Sequence, residues 1–129
     1  MSLPAVDIAF LNERVIGHDI ASESGMTCIV IPQWSLPQGF DRTEADLLVR
    51  LTPGYPDVPP DMWWFDPPVR RADGQELPAT SVMEHYLGRT WQRWSRHFSG
   101  AQWKSGVDCL ESYLALIRQD LERGVNGAR

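Results

Sequence analysis

Among its 129 residues the chain has one lysine, two cysteines and three histidines, a thin supply of versatile side chains. Cys28 and Cys109 form no CxxC pair, and His18, His85 and His97 lack metal-ligand spacing. No metal site and no cofactor are therefore expected. The opening MSLPAVDIAF has no basic residue ahead of its apolar stretch and sets Asp7 inside it, which argues against a secretory leader. Two cysteines without such a leader fit a reducing cytoplasm better than a disulfide. Nothing approaches a run of about eighteen apolar residues, so no membrane-spanning helix is expected. Positive charge is also in deficit: 12 basic residues against 17 acidic give a net charge of −5, which argues against a nucleic-acid groove. Eleven of those twelve basic residues are arginine, and Lys104 is the exception.

What is present describes an ordinary globular chain. Hydrophobic content of 43% and charged content of 22% suffice for one core, and the length fits a single domain over residues 1–124 with a flexible tail at 125–129. Asp7 to about Arg14 forms a short helix with Ile8, Phe10 and Leu11 on its apolar side. VIGHDIAS and MTCIVIPQW read as strands joined by a turn at Glu23-Ser24-Gly25. In the second of them Cys28 shares a face with Met26 and Val30, a core position. ADLLVRL, residues 45–51, is a third strand, and DMWWF, residues 61–65, a fourth. Six of the ten prolines fall between Pro53 and Pro68, where the missing amide donor forbids a paired ladder and makes a rigid turn. Arg70 to Arg89 shows no period and reads as irregular.

The clearest element is C-terminal. Ser105-Gly-Val-Asp108 has capping-box spacing, and Val107, Leu110, Leu114, Ile117 and Leu121 then recur at helical steps as one apolar stripe. Gly124 is expected to end that helix. The fold class is thus α+β: an antiparallel β-meander flanked by helices, with a proline-rich turn and a long irregular crossover before the last helix.

Tyr55-Pro56-Asp57-Val58-Pro59-Pro60, the strand PDMWWF ending in Pro67-Pro68, the tryptophan-rich WQRWSRH and Trp103-Lys-Ser-Gly-Val-Asp108 resemble, in that order, the ubiquitin-conjugating-enzyme (UBC) fold. The details are most similar to its bacterial branch, prokaryotic family E, over residues 7–122. The resemblance implies a UBC-like domain whose partners are a ubiquitin-like protein and its activating, adenylating enzyme. It also implies a place for an acceptor cysteine, eight residues before the tryptophan that introduces the helix. Counted back from Trp103, that place holds Ser95. The family's His-Pro-Asn triplet is absent: His85 lies ten residues before Ser95 but is followed by Tyr86 and Leu87.

A thiolate is accessible near neutral pH, whereas a serine hydroxyl needs a base to take its proton as it attacks. Ser95 is accordingly the candidate oxyester acceptor, with His97, or failing that His85, as base. Arg93 and Arg96 are candidates to stabilise an oxyanion or hold the incoming carboxyl terminus. Trp91, Trp94 and Trp103 read as packing residues. Cys109, near a helix N-terminus, is the alternative acceptor. Three readings stay open. The first is a conjugating-type carrier, a transferase acting through Ser95. The second is a non-catalytic adaptor that binds the ubiquitin-like protein or the activating enzyme. The third is a tryptophan-rich module for a peptide or small ligand, which an exposed Trp63 or Trp64 beside Trp34 would support.

Overall fold

The computed structural model describes residues 3–14, 16–97 and 103–125. Helix α1 (Ala5–Glu13) precedes strands β1 (Asp19–Glu23), β2 (Met26–Ser35), β3 (Glu44–Leu51), β4 (Trp63–Asp66), β5 (Val82–Tyr86) and β6 (Arg89–Trp94), and helix α2 (Leu110–Val125) closes the chain. The strands form one antiparallel sheet in the order β1-β2-β3-β4-β6-β5. This is the UBC-like α+β arrangement that the sequence implies, with a hairpin, β5–β6, added beside β4. The tail expected at 125–129 lies, beyond Val125, outside the described residues.

Both hairpins close through two residues with positive φ. In the first these are Ser24 (54°) and Gly25 (78°), the left-handed pair that matches strand twist. In the second they are Leu87 (57°) and Gly88 (75°). Leucine is a poor residue for that conformation, and tertiary contacts hold it there. Its amide donates to Glu23 Oε2 at 3.0 Å, and its side chain packs in the smaller core. Because Glu23 ends β1 and Leu87 follows β5, that bond joins opposite sides of the sheet and records how far it curls.

Curling produces two cores of different character. The larger one lies between the sheet and the helices, where Ile29, Leu47, Phe65 and Trp94 meet Leu110, Tyr113, Ile117 and Leu121. The smaller one fills the concave face: Cys28, Val30, Leu48, Trp64 and Trp91, covered by Met26, Met62, Tyr86 and Leu87. Strands buried on both faces read as continuous apolar runs, which is why β2 and β3 stand out in the sequence. Cys28 is in the core, as its strand position implies.

Several details differ from the sequence reading. The stretch 70–89 is not wholly irregular, since β5 and the start of β6 lie in it. On α1, Asp7 and Leu11 are buried, whereas Ile8 is exposed. Helix α2 begins four residues later than its capping box suggests. Asp108 Oδ2 accepts the Lys104 amide at 2.7 Å and Ser105 Oγ bonds Asp57, so the box closes a separate turn and leaves Val107 exposed. The helix itself is capped by Ser112 Oγ, which accepts the Cys109 amide at 2.8 Å, and by Asp7 Oδ1, which accepts the Leu110 amide at 3.0 Å. A carboxylate from the first helix thus satisfies an N-terminal donor of the last. Gly124 sits inside the final turn rather than ending it; its carbonyl accepts from the Arg71 guanidinium.

Candidate functional site

The proline-rich turn is pinned from the other end of the chain. Trp103 Nε1 donates to the Pro56 carbonyl at 2.9 Å, and its ring lies between those of Tyr55 and Tyr113, with centroids 6.2 and 6.4 Å away. The Tyr55–Pro56 and Asp66–Pro67 peptide bonds are cis. Tyr55 donates its hydroxyl to Asp7 Oδ2 at 2.6 Å, and Tyr113 donates to the Met62 carbonyl at 2.5 Å. Both phenols are pushed well above their ordinary value. For Tyr55 the causes are burial, then the bond to Asp7; for Tyr113 they are burial, then the negative charge of Asp61. Turn, Trp103 and both helices therefore form one closed corner.

The rim at residues 93–97 is built beside it. Strand β6 ends at Trp94, and the Arg96 amide bonds the Trp94 carbonyl at 3.0 Å, a tight reverse turn centred on Ser95. The Ser95 amide donates to the Ala79 carbonyl at 3.0 Å, and the Met62 amide to the Arg96 carbonyl at 3.2 Å. Ser95 is half-buried, and its Oγ accepts a hydrogen bond from Arg93 Nε at 2.9 Å. The same guanidinium donates through a terminal nitrogen to Glu84 Oε2 at 3.1 Å. Glu84 Oε1 in turn accepts from Trp64 Nε1 at 2.9 Å and from the Tyr86 hydroxyl at 3.2 Å. Ser95 is thus the end of a network that runs across the concave face.

The other candidates point elsewhere. His97 is exposed, and its Nδ1 bonds Asp61 Oδ1 at 2.7 Å; the two side chains are 65% and 55% exposed. His85 is exposed on β5, 3.4 Å from Thr90 Oγ1. Strand register pairs Glu84 with Trp91 and Val82 with Arg93, so by alternation His85 lies on the opposite face from Arg93. Among the described residues neither imidazole is hydrogen-bonded to Ser95. Arg96 is not on the rim at all. Its Nε meets Asp120 Oδ2 at 2.9 Å, its NH1 donates to the Pro78 carbonyl at 2.7 Å, and the pair is only 9% and 7% exposed. Cys109 is half-buried at the entrance of α2, where its amide donates to Ser112 Oγ. Phe98 to Gln102, the remainder of the tryptophan-rich motif, lie outside the described residues.

Trp91, Trp94 and Trp103 are buried, as expected of packing residues. So are Trp63 and Trp64, while Trp34 is half-buried against Phe65 and beneath Arg118. The exposed Trp63 or Trp64 that would have supported the third reading is therefore not found. They also contain no cluster of three metal-ligating side chains and no helix long and apolar enough to cross a membrane. Three residues with a part in the rim went unread in the sequence. Glu84 becomes visible once β5 is recognised, since it alternates with Tyr86. Asp61 and Asp120 carry no spacing signal, because their partners lie 36 and 24 residues away.

Set against known proteins, residues 3–124 match the family model described as prokaryotic E2 family E. No curated protein and no solved structure gives a significant match.

Proposed function

The chain belongs to prokaryotic E2 family E, and from that premise we propose that it serves ubiquitin-like modification machinery as a non-catalytic adaptor. It binds a ubiquitin-like protein or that protein's activating enzyme and carries no acyl group itself. One observation supports this most strongly. Ser95, eight residues before Trp103 where the resemblance implies an acceptor cysteine, offers a hydroxyl that accepts from Arg93 Nε, and neither imidazole is bonded to it among the described residues. Attack by a hydroxyl needs a group to take its proton. A guanidinium, always protonated, cannot do so. Arg96, which would have to face an incoming carboxyl terminus, is engaged with Asp120 inside the fold.

The scaffold around that position is intact. The proline-rich turn, Trp103 and α2 are tied together by contacts that do not involve the Ser95 hydroxyl. Binding is therefore expected to survive loss of the hydroxyl. Titration calorimetry of the chain with a ubiquitin-like protein and an activating enzyme from its own genome tests this. At least one of them should bind, and Ser95→Ala should bind it within about twofold. Failure of both partners to bind would remove the adaptor reading.

The carrier reading keeps one specific support: Ser95 sits half-exposed on a rim, with a guanidinium in place to stabilise an oxyanion. It requires an adduct with the ubiquitin-like protein that survives thiol reductant, is cleaved by alkali and is lost in Ser95→Ala. A reductant-labile adduct lost in Cys109→Ala would move the role to Cys109.

A further inference from the structure

We propose that the outer edge of β5, with the cleft at its N-terminal end, binds an extended peptide segment of a protein partner as a seventh strand, one long basic side chain entering the cleft. The inference deepens the adaptor reading, and rests on it for the partner's identity.

The hairpin geometry determines which backbone groups face outward. A two-residue turn closes on a hydrogen-bonded pair, here Tyr86 and Arg89, and hydrogen-bonded pairs then alternate with open ones. Glu84/Trp91 and Val82/Arg93 exchange ladder bonds, whereas Met83/Gln92 and His85/Thr90 do not. The N–H and C=O groups of Met83 and His85 therefore point away from β6, at the end of the sheet. No bond to any of the four is made among the described residues. Edge strands are usually guarded by proline, lysine or a bulge. Val82–Tyr86 has none of these, its one inward-pointing charge, Glu84, is engaged by Trp64, Tyr86 and Arg93, and Met83 is 45% exposed.

A cleft of about 670 Å³ adjoins this edge, with Met83 and Ser81 in its wall. Leu77, Pro78 and Ala79 give it apolar surface for a side-chain stem. Its charged lining is Asp41, Glu76, Arg70 and Arg71. Arg71 is neutralised by a two-bond pair with Asp73, at 3.0 and 2.7 Å. That leaves Arg70 against two carboxylates, an excess of one negative charge. A residue paired with Met83 places its side chain on Met83's face of the sheet, towards this cleft. A long cationic side chain, apolar along its stem, fits both wall and charge. Main-chain bonds supply affinity in such strand addition, and the pocket supplies selectivity.

The test uses an eight-residue peptide in which arginine alternates with valine, a counterpart with glutamate for arginine, and a third with backbone N-methyl groups on the pairing side. Fluorescence anisotropy at physiological ionic strength should show the arginine peptide binding at least tenfold more tightly than either of the others. Met83→Pro removes an outward donor without taking a bond from the β5–β6 ladder, and should weaken binding tenfold or more. Glu76→Gln should weaken it two- to fivefold. Equal binding of the N-methylated or the glutamate peptide would overturn the proposal, and so would unchanged binding to a folded Met83→Pro variant. The N-methylated peptide reads the same contact if that variant does not fold. If peptides fail while the ubiquitin-like protein or activating enzyme still binds, only the edge assignment falls. If the peptides behave as expected and neither protein binds, the edge stands and the adaptor reading falls.

Discussion

The corner around Trp103 and the rim around Ser95 are joined through Met62 and Tyr113, yet they differ in how their polar groups are used. In the corner, Asp7 caps α2 and accepts from Tyr55, while Trp103 bonds Pro56. Each polar atom there closes a long-range contact between elements that the sequence keeps far apart. Arg96, next to the rim in sequence, behaves like a corner residue, buried on Asp120. Arg93, Ser95, Asp61 and His97 remain partly or largely open to water. The corner is thus a closed frame, while the rim beside it is a serine–arginine contact open on one side to water. Stability and function should therefore separate by region, and substitutions can test how completely.

The largest effect is expected at Arg96, which follows Ser95 in sequence but belongs to the frame. Asp120→Ala leaves the Arg96 guanidinium buried against Trp94 without its carboxylate, and should cost about 3–5 kcal/mol in chemical denaturation. A cost like that of an exposed pair would show that the Arg96 contact is not part of the frame. Asp7→Ala should follow, at roughly 1–3 kcal/mol, because it strands both the Leu110 amide and the Tyr55 hydroxyl. Paired with Tyr55→Phe it should be less than additive, since the two share a bond.

Alkaline titration sharpens the same contrast. All three tyrosines are raised above their ordinary value of 10.0, and burial is the first cause in each. Unfolded chains lose phenolic protons near pH 10 that the native state retains, so their contribution to stability is complete below that pH and declines as pH rises above it. Absorbance at 295 nm should show little tyrosinate until the circular-dichroism signal of unfolding appears. Early ionisation of two of the three would contradict the closed corner.

At the rim itself, little should change. His97→Ala removes an exposed pair with Asp61 and should cost no more than about 1 kcal/mol. Ser95→Ala removes a neutral acceptor from a half-open site and should fall within about 0.5 kcal/mol. A cost above 2 kcal/mol for either would place the rim with the frame.

The sequence reading succeeded where one physical signal dominates. Continuous apolar runs gave β2 and β3, Ser24-Gly25 gave the first hairpin, and the stripe from Leu110 to Leu121 gave the buried face of α2. It failed where tertiary contacts override local preference. Leu87 adopts a conformation that leucine disfavours, so the second hairpin carries none of the usual turn signal. Gln92 hides β6 in another way. It is a buried polar residue whose amide bonds Val69 on both N–H and C=O and also accepts from Trp94 Nε1, a pattern that resembles loop composition until its partners are known. The capping box at Ser105 and Asp108 is real as a turn, but the helix cap comes from Asp7, 103 residues from the amide it satisfies. Spacing can single out Ser95 as a candidate. It cannot show that a neighbouring arginine holds the hydroxyl and a distant aspartate holds the imidazole.

The account rests on Ser95 belonging to a binding surface and not to an acyl-transfer site. Intact-mass analysis of the chain after incubation with the ubiquitin-like protein, its activating enzyme and ATP tests this most directly. The account predicts an unmodified mass at position 95 together with a non-covalent complex in the native spectrum. An ester-linked adduct mapped to Ser95, resistant to thiol reductant and absent in Ser95→Ala, would contradict it.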